Sequence, residues 1–201
     1  MRKLGRVMRI RPYEPRDRAD VIDICIRTGD NGQDATGLHS SDELLADIYA
    51  LPYVDHEPEL AFVVDNGDRA VGYVLGAADT RAFAEWFSAE WWPTVAGKYS
   101  SNGVLERAII VSAENPERML IAAVDDYPAH LHIDLLPEAQ GQGLGRQLIE
   151  MLAATLRERG IPGLHLVVGA GNTNAQAFYR RVGFTELASD PGGVMMGIKL
   201  V

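Results

Sequence analysis

A glycine-rich turn, Gln-Gly-Gln-Gly-Leu-Gly at residues 140–145, constrains the fold of this chain more than any other segment. An apolar, strand-like run at residues 131–136 precedes it and ends at Pro137, which cannot donate to a sheet ladder. Apolar residues at helical spacing follow, from Leu144 to Leu156. Glycine permits unusual backbone angles, and the first N–H groups of a helix lack intrahelical acceptors. The turn therefore predicts a phosphate site where a strand of an α/β sheet leads into a helix.

The spacing of the glycines argues against the commonest nucleotide-binding motifs. The pattern G-x-G-x-x-G would need a third glycine at Arg146 or Leu148, and a Walker motif would need a lysine after the glycines. The turn fits Q-x-x-G-x-G instead. Residues 172–184, which follow a second strand-like run at 164–168, fit N-x-x-A-x-x-(F/L/Y)-Y-x-x-x-G-F. These two segments, in this order, resemble the two signatures of the GNAT acetyltransferases.

The resemblance implies an α/β (α+β) GNAT fold. Its sheet is mixed, mostly antiparallel and twisted, with about six or seven strands splayed in a V and helices on both faces. The pantetheine arm of the cosubstrate, acetyl-CoA, would lie between the two splayed strand-like runs. The implied function is N-acetyltransfer to a primary amine of a small molecule or protein by direct attack. An alternative is a CoA-binding regulatory or interaction module without turnover.

The resemblance also assigns cofactor-binding residues. They are Leu135, Leu136, Gln140, Gly141, Gln142, Gly143, Leu144, Gly145, Arg146, Asn172, Phe178 and Tyr179. The N–H groups of residues 142–146 would take the pyrophosphate, and the main chain of Leu135 and Leu136 would pair with pantetheine. An N–H near Leu135 would bond the acetyl oxygen.

Some of these assignments have alternatives. Arg146 and Arg181 either add positive charge near the phosphates or lie on solvated helix faces. Asn172 either caps the next helix, bonds the pantetheine amide, or does both, and Asn174 is a second candidate for the cap.

The candidate catalytic residues are Tyr179, Asp134 and His132. A tyrosine hydroxyl has an ordinary pKa of about 10, so Tyr179 can donate a proton to the departing sulfur. The general base is less evident, because relatives carry an acid or His at the positions of Leu131 and Ala129. The nearest titratable residues are His130, His132 and Asp134, which strict alternation places on the opposite face unless a β-bulge shifts the phase. Asp134 and His132 are the candidates for base or amine anchor, and deprotonation by water is the alternative.

Bulk properties exclude several classes of function. The chain has 201 residues and predicts one domain over 1–201, with an insertion at about 80–127 relative to a minimal GNAT domain. A formal charge of −9 argues against nucleic-acid binding and favours a cationic acceptor. Cys25 is the single cysteine, and the histidines lack ligand spacing, so we expect no metal. Neither a signal peptide nor a spanning segment is evident, so we expect a cytoplasmic protein without membrane partners. The sequence is compatible with a homodimer.

The remaining segments predict a strand at residues 8–11, a helix at 17–27, a polar loop at 28–37 and a helix that Ser41 caps and that ends before Pro52. A hairpin is expected at 60–64 and 70–77, and two final strands at 185–187 and 194–200. In the insertion, a helix is expected at 81–90, whereas the runs at 108–111 and 119–124 fit helix or strand. Its three tryptophans, Trp86, Trp91 and Trp92, fill a core or line an acceptor pocket or subunit contact. The insertion, together with residues 11–13, 28–30 and 130–137, resembles the acetyltransferase-like domain attached to some O-GlcNAc hydrolases.

Overall fold

The computed structural model of the chain describes residues 8–99 and 104–201. Its strands are β1 (Arg9–Pro12), β2 (Ala61–Asp65), β3 (Ala70–Ala77), β4 (Ala129–Leu135), β5 (Gly163–Val168), β6 (Thr185–Asp190) and β7 (Gly193–Lys199). Its α-helices are α1 (Arg18–Thr28), α2 (Glu43–Tyr49), α3 (Leu51–His56), α4 (Thr80–Trp86), α5 (Trp92–Val95), α6 (Val104–Glu114), α7 (Leu144–Glu158) and α8 (Thr173–Arg181). The chain start at residues 1–7 and the segment 100–103 lie outside the described residues.

The strands form one seven-stranded sheet in the order β1-β2-β3-β4-β5-β7-β6. Neighbouring strands are antiparallel except for β4 and β5, which are parallel. The predicted mixed, mostly antiparallel sheet is therefore confirmed. The β2–β3 hairpin turns at Gly67, whose φ of +94° is readily adopted only by glycine.

The two parallel strands separate soon after they meet. Their pairing is confined to Ala129 with Leu164 and His130 with His165, although β4 continues to Leu135 and β5 to Val168. The sheet is thus open between the carboxyl ends of β4 and β5, as the V-shaped splay predicted. This opening, called here the β4–β5 gap, positions the candidate site.

Helices cover both faces of the sheet. On one face, α7 buries Leu148, Leu152 and Leu156 completely, and a Cβ on Gly76 would lie 2.8 Å from Leu152 Cδ1. On the other face, α1 buries Val21 and Ile24. Each such side chain stabilises the fold by about 1.5–3 kcal/mol relative to exposure.

Two predicted helices differ from the observed ones. The helix before Pro52 begins at Glu43 rather than after a Ser41 cap, and Asp42 accepts a bond from the Gly37 N–H. A second helix, α3, then begins at Leu51 and carries Pro52 in its first turn, where a missing N–H costs no helical hydrogen bond. The single helix predicted over 81–90 is divided in the structure, because α4 ends at Trp86 and a π-helical turn follows at Phe87–Trp91.

The two undecided runs of the insertion are not strands. Residues 108–111 are part of α6. The run at 119–124 begins with the last residue of a 3-10 turn at Pro116–Met119 and continues into a further turn. Asp47 of α2 makes hydrogen bonds to residues 91–99, in the first part of the insertion. It is 2% exposed, accepts from Lys98 Nζ at 2.9 Å and from the Tyr99 hydroxyl, and its carbonyl accepts from Trp91 Nε1 at 2.7 Å.

Candidate active site

A cavity of about 1170 Å³ passes through the sheet at the β4–β5 gap. Its walls come from the glycine loop, α7 and α8, and from the end of α1, the α1–α2 loop, α2 and α6. One helix of each set, α7 and α1, shows that the sets lie on opposite faces, because alternate residues of β3 contact these two helices. Gly76 faces Leu152 of α7, whereas Tyr73 interacts with Cys25 of α1. Two ligands can therefore enter the cavity from opposite sides and meet inside the sheet.

The glycine loop has the geometry of an anion site. Gly141 and Gly143 have φ values of +73° and +76°, and Gly143 immediately precedes α7. A Cβ on either residue would meet no atom closer than 4.0 Å, so the space beside the loop is open. The first N–H groups of α7 therefore lie at the positive end of the helix, beside room for a ligand. Residues 140–146 fit a phosphate group by this test.

Gly145 has a different role from the other two glycines. A Cβ there would lie 3.1 Å from Phe178 Cζ, so glycine lets α7 pack against α8. Arg146 also links the two helices, because its Nη2 donates to the Arg181 carbonyl at 3.2 Å. Both arginines are exposed and line the cavity. Positive charge thus lies on the α7–α8 side.

The two glutamines of the loop use their side chains to hold its backbone. Gln140 Nε2 donates to the Leu135 carbonyl at 2.8 Å, and Gln142 Nε2 donates to the Glu138 carbonyl at 2.7 Å. Sequence reasoning assigned both residues to the cofactor without this bracing role. The bonds fix the loop relative to the end of β4.

The Leu136 N–H is occupied by the sheet, because it donates to the Val71 carbonyl at 2.9 Å. Its carbonyl accepts from the Ala139 N–H at 2.8 Å and keeps one lone pair. The predicted pairing of Leu136 with pantetheine would therefore use the carbonyl alone. Since β-strand groups alternate, Ile133 and Leu135 point their main-chain groups away from β3 and into the gap. The N–H of Leu135 remains a candidate donor.

Asp134 reaches the cavity without a β-bulge. The β3–β4 register is regular from Gly72 with Leu135 to Ala77 with His130, so the suggested phase shift does not occur. Asp134 faces the α1 side, opposite to Leu131, and lines the cavity because the sheet is open there. Its Oδ2 accepts from the Tyr73 hydroxyl at 2.6 Å. Burial raises the pKa of Asp134 to about 6, against the opposing effect of this hydrogen bond.

The two histidines of β4 differ. His130 is buried, and its ring nitrogens lie 2.7 Å from the Tyr53 hydroxyl and 2.8 Å from Thr80 Oγ1. His132 lines the cavity, with its ring 5.1 Å from that of Tyr53. Burial, with the positive charge of Arg118, lowers the pKa of His132 to about 4. A neutral imidazole of such low basicity is a weaker base than Asp134.

Tyr179 of α8 lines the same cavity as Asp134. The residue is 9% exposed, and its hydroxyl has no hydrogen-bond partner among the described residues. Burial and the nearby charge of Asp134 raise the pKa of Tyr179, so its hydroxyl stays protonated at neutral pH. It can therefore donate a proton to a group within the cavity.

Asn172 is the cap of α8, because its side chain accepts from the Ala175 N–H at 3.1 Å. Asn174 lies within the helix and is not the cap. Sequence reasoning missed Gln176, whose Nε2 donates to the carbonyls of Gly169 and Ala170. It also missed Tyr73, since strand register is not readable from a single sequence.

Several other expectations concern what surrounds the site. Trp86, Trp91 and Trp92 are absent from the cavity lining; Trp92 is buried, and the other two pack against the core. Over residues 8–99 and 104–201, no cluster of three His, Cys, Asp or Glu residues could hold a metal ion. None of the helices in that same part of the chain has the length and apolarity needed to cross a membrane.

Comparisons with known proteins agree with this architecture. A family model described as the acetyltransferase (GNAT) family matches residues 33–184. The crystal structure of SsHAT is 44% identical, with a TM-score of 0.90 over 96% of this chain and 98% of that one. The structure of YncA from Salmonella typhimurium with its cofactor acetyl-CoA shares the fold at 16% identity, with a TM-score of 0.56 over 97% and 95% of the two chains.

Protein O-GlcNAcase of Rattus norvegicus is 25% identical over 196 residues, which cover 94% of this chain and 21% of that protein. The chain thus spans about a fifth of the length of the curated relatives it matches first. The expected resemblance, to the GNAT family and to the acetyltransferase-like region of O-GlcNAc hydrolases, is confirmed.

Proposed function

Because the chain belongs to the acetyltransferase (GNAT) family, we propose that it is an acetyl-CoA-dependent N-acetyltransferase. The acceptor is a primary amine of a small molecule or protein, which attacks directly. One observation carries the proposal: the cavity crosses the sheet at the β4–β5 gap, with an anion-binding loop on one side and the Asp134 carboxylate on the other.

The cosubstrate would be held by backbone groups on the α7–α8 side. The N–H groups of residues 142–146 bind its diphosphate, and Arg146 and Arg181 add positive charge. The main-chain groups of Ile133 and the Leu135 carbonyl, which also accepts from Gln140 Nε2, would bind the pantetheine arm in the gap. The Leu135 N–H would stabilise negative charge that develops on the acetyl oxygen. Acetyl-CoA supplies the acetyl group as an activated thioester.

Two side chains would move protons. An alkylamine is mainly protonated at neutral pH, so it must lose a proton before it can attack. Asp134, with a pKa of about 6, is mostly ionised at pH 7 and accepts that proton. The Tyr179 hydroxyl donates its proton to the departing thiolate. Both residues line one cavity, and this supports assigning them to one reaction.

Replacing Tyr179 by Phe is expected to lower kcat by about a hundredfold, because it removes the proton donor. The affinity for CoA should change little, since the ring remains and its hydroxyl bonds no described residue. We would measure thiol release and calorimetric CoA binding. Tyr127→Phe, a tyrosine outside the cavity lining, serves as the control. Undiminished turnover in the Tyr179 variant would remove this residue from the reaction.

Replacing Tyr73 by Phe is expected to move the acid limb of the pH–rate profile to higher pH by about one unit. The hydroxyl stabilises the ionised form of Asp134, so its removal raises the pKa of that carboxyl. Tyr53→Phe is the matched control, because it removes a buried hydroxyl bonded to His130 instead. Its stability should fall while the acid limb stays in place. An unchanged limb in the Tyr73 variant would contradict the positioning role of Tyr73.

The alternative is a CoA-binding module without turnover. Its main support is that Leu131 and Ala129 are apolar where relatives carry an acid or His. Asp134 weakens that support, since it supplies a carboxylate to the cavity from the opposite face of β4. The two functions are separated by incubating the protein with acetyl-CoA and an amine panel. CoA binding without thiol release for any amine would favour the module.

A further inference from the structure

We propose that the acceptor is a monoamine whose amino group is attached to an apolar aliphatic or aromatic body. This inference rests on the proposed N-acetyltransferase activity and names the substrate class of that site. It follows from which side chains line the half of the cavity beyond Asp134.

The far half of the cavity is lined by apolar side chains from three elements. We call this surface the acceptor wall, and its members are Leu38, Leu45, Tyr49, Ala108 and Ile109. Leu38 belongs to the α1–α2 loop and is 54% exposed. The imidazole rings of His39 and His132 border the wall. An apolar ligand would cover carbon surface that otherwise faces water.

The charges of the cavity are divided between its two sides. Its lysine and arginine lining, within the described residues, consists of Arg146 and Arg181 on α7 and α8. The carboxylates of the lining, Asp30 and Asp134, lie on the α1 side. An ammonium group is therefore attracted to the α1 side. A carboxylate on the acceptor would meet like charge there, because Arg118, whose Cζ lies 5.7 Å from the centre of the Tyr49 ring, does not itself line the cavity.

A second ammonium group on the acceptor would meet no carboxylate among the lining residues of the wall, because the nearby Glu106 of α6 is buried, bonded to the Ser40 hydroxyl and outside the cavity lining. Asp30 belongs to a turn that lies near the end of β5. The next residue of that turn, Asn31, has its Oδ1 3.1 Å from the position that a Cβ on Gly169 would take. The acceptor wall lies instead between the α1–α2 loop, α2 and α6. The wall thus favours an uncharged end, because a charged group placed on it loses water without gaining a partner.

Three amines of similar length, which differ in the group at the end away from the reacting amine, test this inference. Hexylamine ends in a methyl group, 1,5-diaminopentane in an ammonium and 5-aminopentanoate in a carboxylate. We expect kcat/KM for hexylamine to exceed both others by about tenfold or more. The same order is expected for their affinities toward protein saturated with CoA, measured by calorimetry. Hexylamine that binds no more tightly than the other two would overturn the inference.

A matched pair of variants locates the effect. Leu38→Asp places a carboxylate on the acceptor wall, and Val111→Asp places one at an equally exposed position, 54%, on α6 outside the cavity lining. Leu38→Asp should raise the ratio of 1,5-diaminopentane to hexylamine affinity by about tenfold, and Val111→Asp should leave that ratio unchanged. A ratio that stays constant in Leu38→Asp contradicts the inference. The proposed function fails separately, if no amine causes thiol release although the affinities follow the expected order.

Discussion

Gly143→Glu is expected to weaken CoA binding by about a thousandfold. The new carboxylate would lie at the start of α7, beside the N–H groups that we assign to the diphosphate. Two unit charges about 4 Å apart repel by about 4 kcal/mol at an effective dielectric constant of 20, which corresponds to that loss of affinity. Steric block adds to the effect, because the space beside Gly143 is now open. Calorimetric titration with CoA measures it directly.

Gly160→Glu controls for backbone strain in this experiment. Gly160 also has a positive φ, +73°, with open space beside it, but it follows the other end of the same helix. Both variants therefore force a non-glycine residue into the left-handed region, and one of them introduces charge at the loop. The control should lose stability and keep its CoA affinity. Equal affinity in both variants would refute the assignment of residues 140–146 to the diphosphate.

Asp134→Asn is expected to lower kcat by about a hundredfold to a thousandfold, because the amide cannot accept the proton of the amine. In the wild-type chain, activity should rise with pH through about 6, since the base acts in its ionised form and burial raises its pKa to that value. The variant should lose the plateau above pH 6 and show a low rate that rises with pH over the whole range, because without the base only the small neutral fraction of the amine can attack. Initial rates of thiol release from pH 5 to 8 test both effects.

The Asp134 experiment has two controls, the affinity of the variant for CoA and a second variant that removes one negative charge elsewhere. CoA affinity should be preserved, because Asp134 lies on the α1 side of the gap and the loop on the other. Asp125→Asn removes one negative charge from a side chain that is 87% exposed and paired with Arg81, so it should leave the profile unchanged. Full activity of Asp134→Asn with the acid limb intact would exclude Asp134 as the base and return the role to water or His132.

The loop, the helix after it and the cap of α8 could be predicted because their signals are local. Positive φ at Gly141 and Gly143 follows from glycine, and the Asn172 side chain meets an N–H three residues later. Alternation along β4 also predicted correctly that Asp134 faces away from Leu131. These features depend on residues a few positions apart, so the sequence contains them.

The sequence could not settle the role of Asp134, because contacts between distant segments decide it. Tyr73 is 61 residues away in the chain, and register alone brings its hydroxyl to the carboxylate. The bonds that occupy Leu136 likewise depend on where β3 lies. His130 of β4 is likewise held by residues far away in the chain, because its two ring nitrogens are hydrogen-bonded to Tyr53 and Thr80.

The family and the conformation of the glycine loop were thus determined by sequence alone, since glycine conformation and helix ends are properties of short segments. The separation of β4 from β5, the burial of Asp134 and the apolar acceptor wall were decided by tertiary structure. The physical reason is that desolvation and strand divergence depend on what packs around a residue, and that packing is set by elements far apart in the chain.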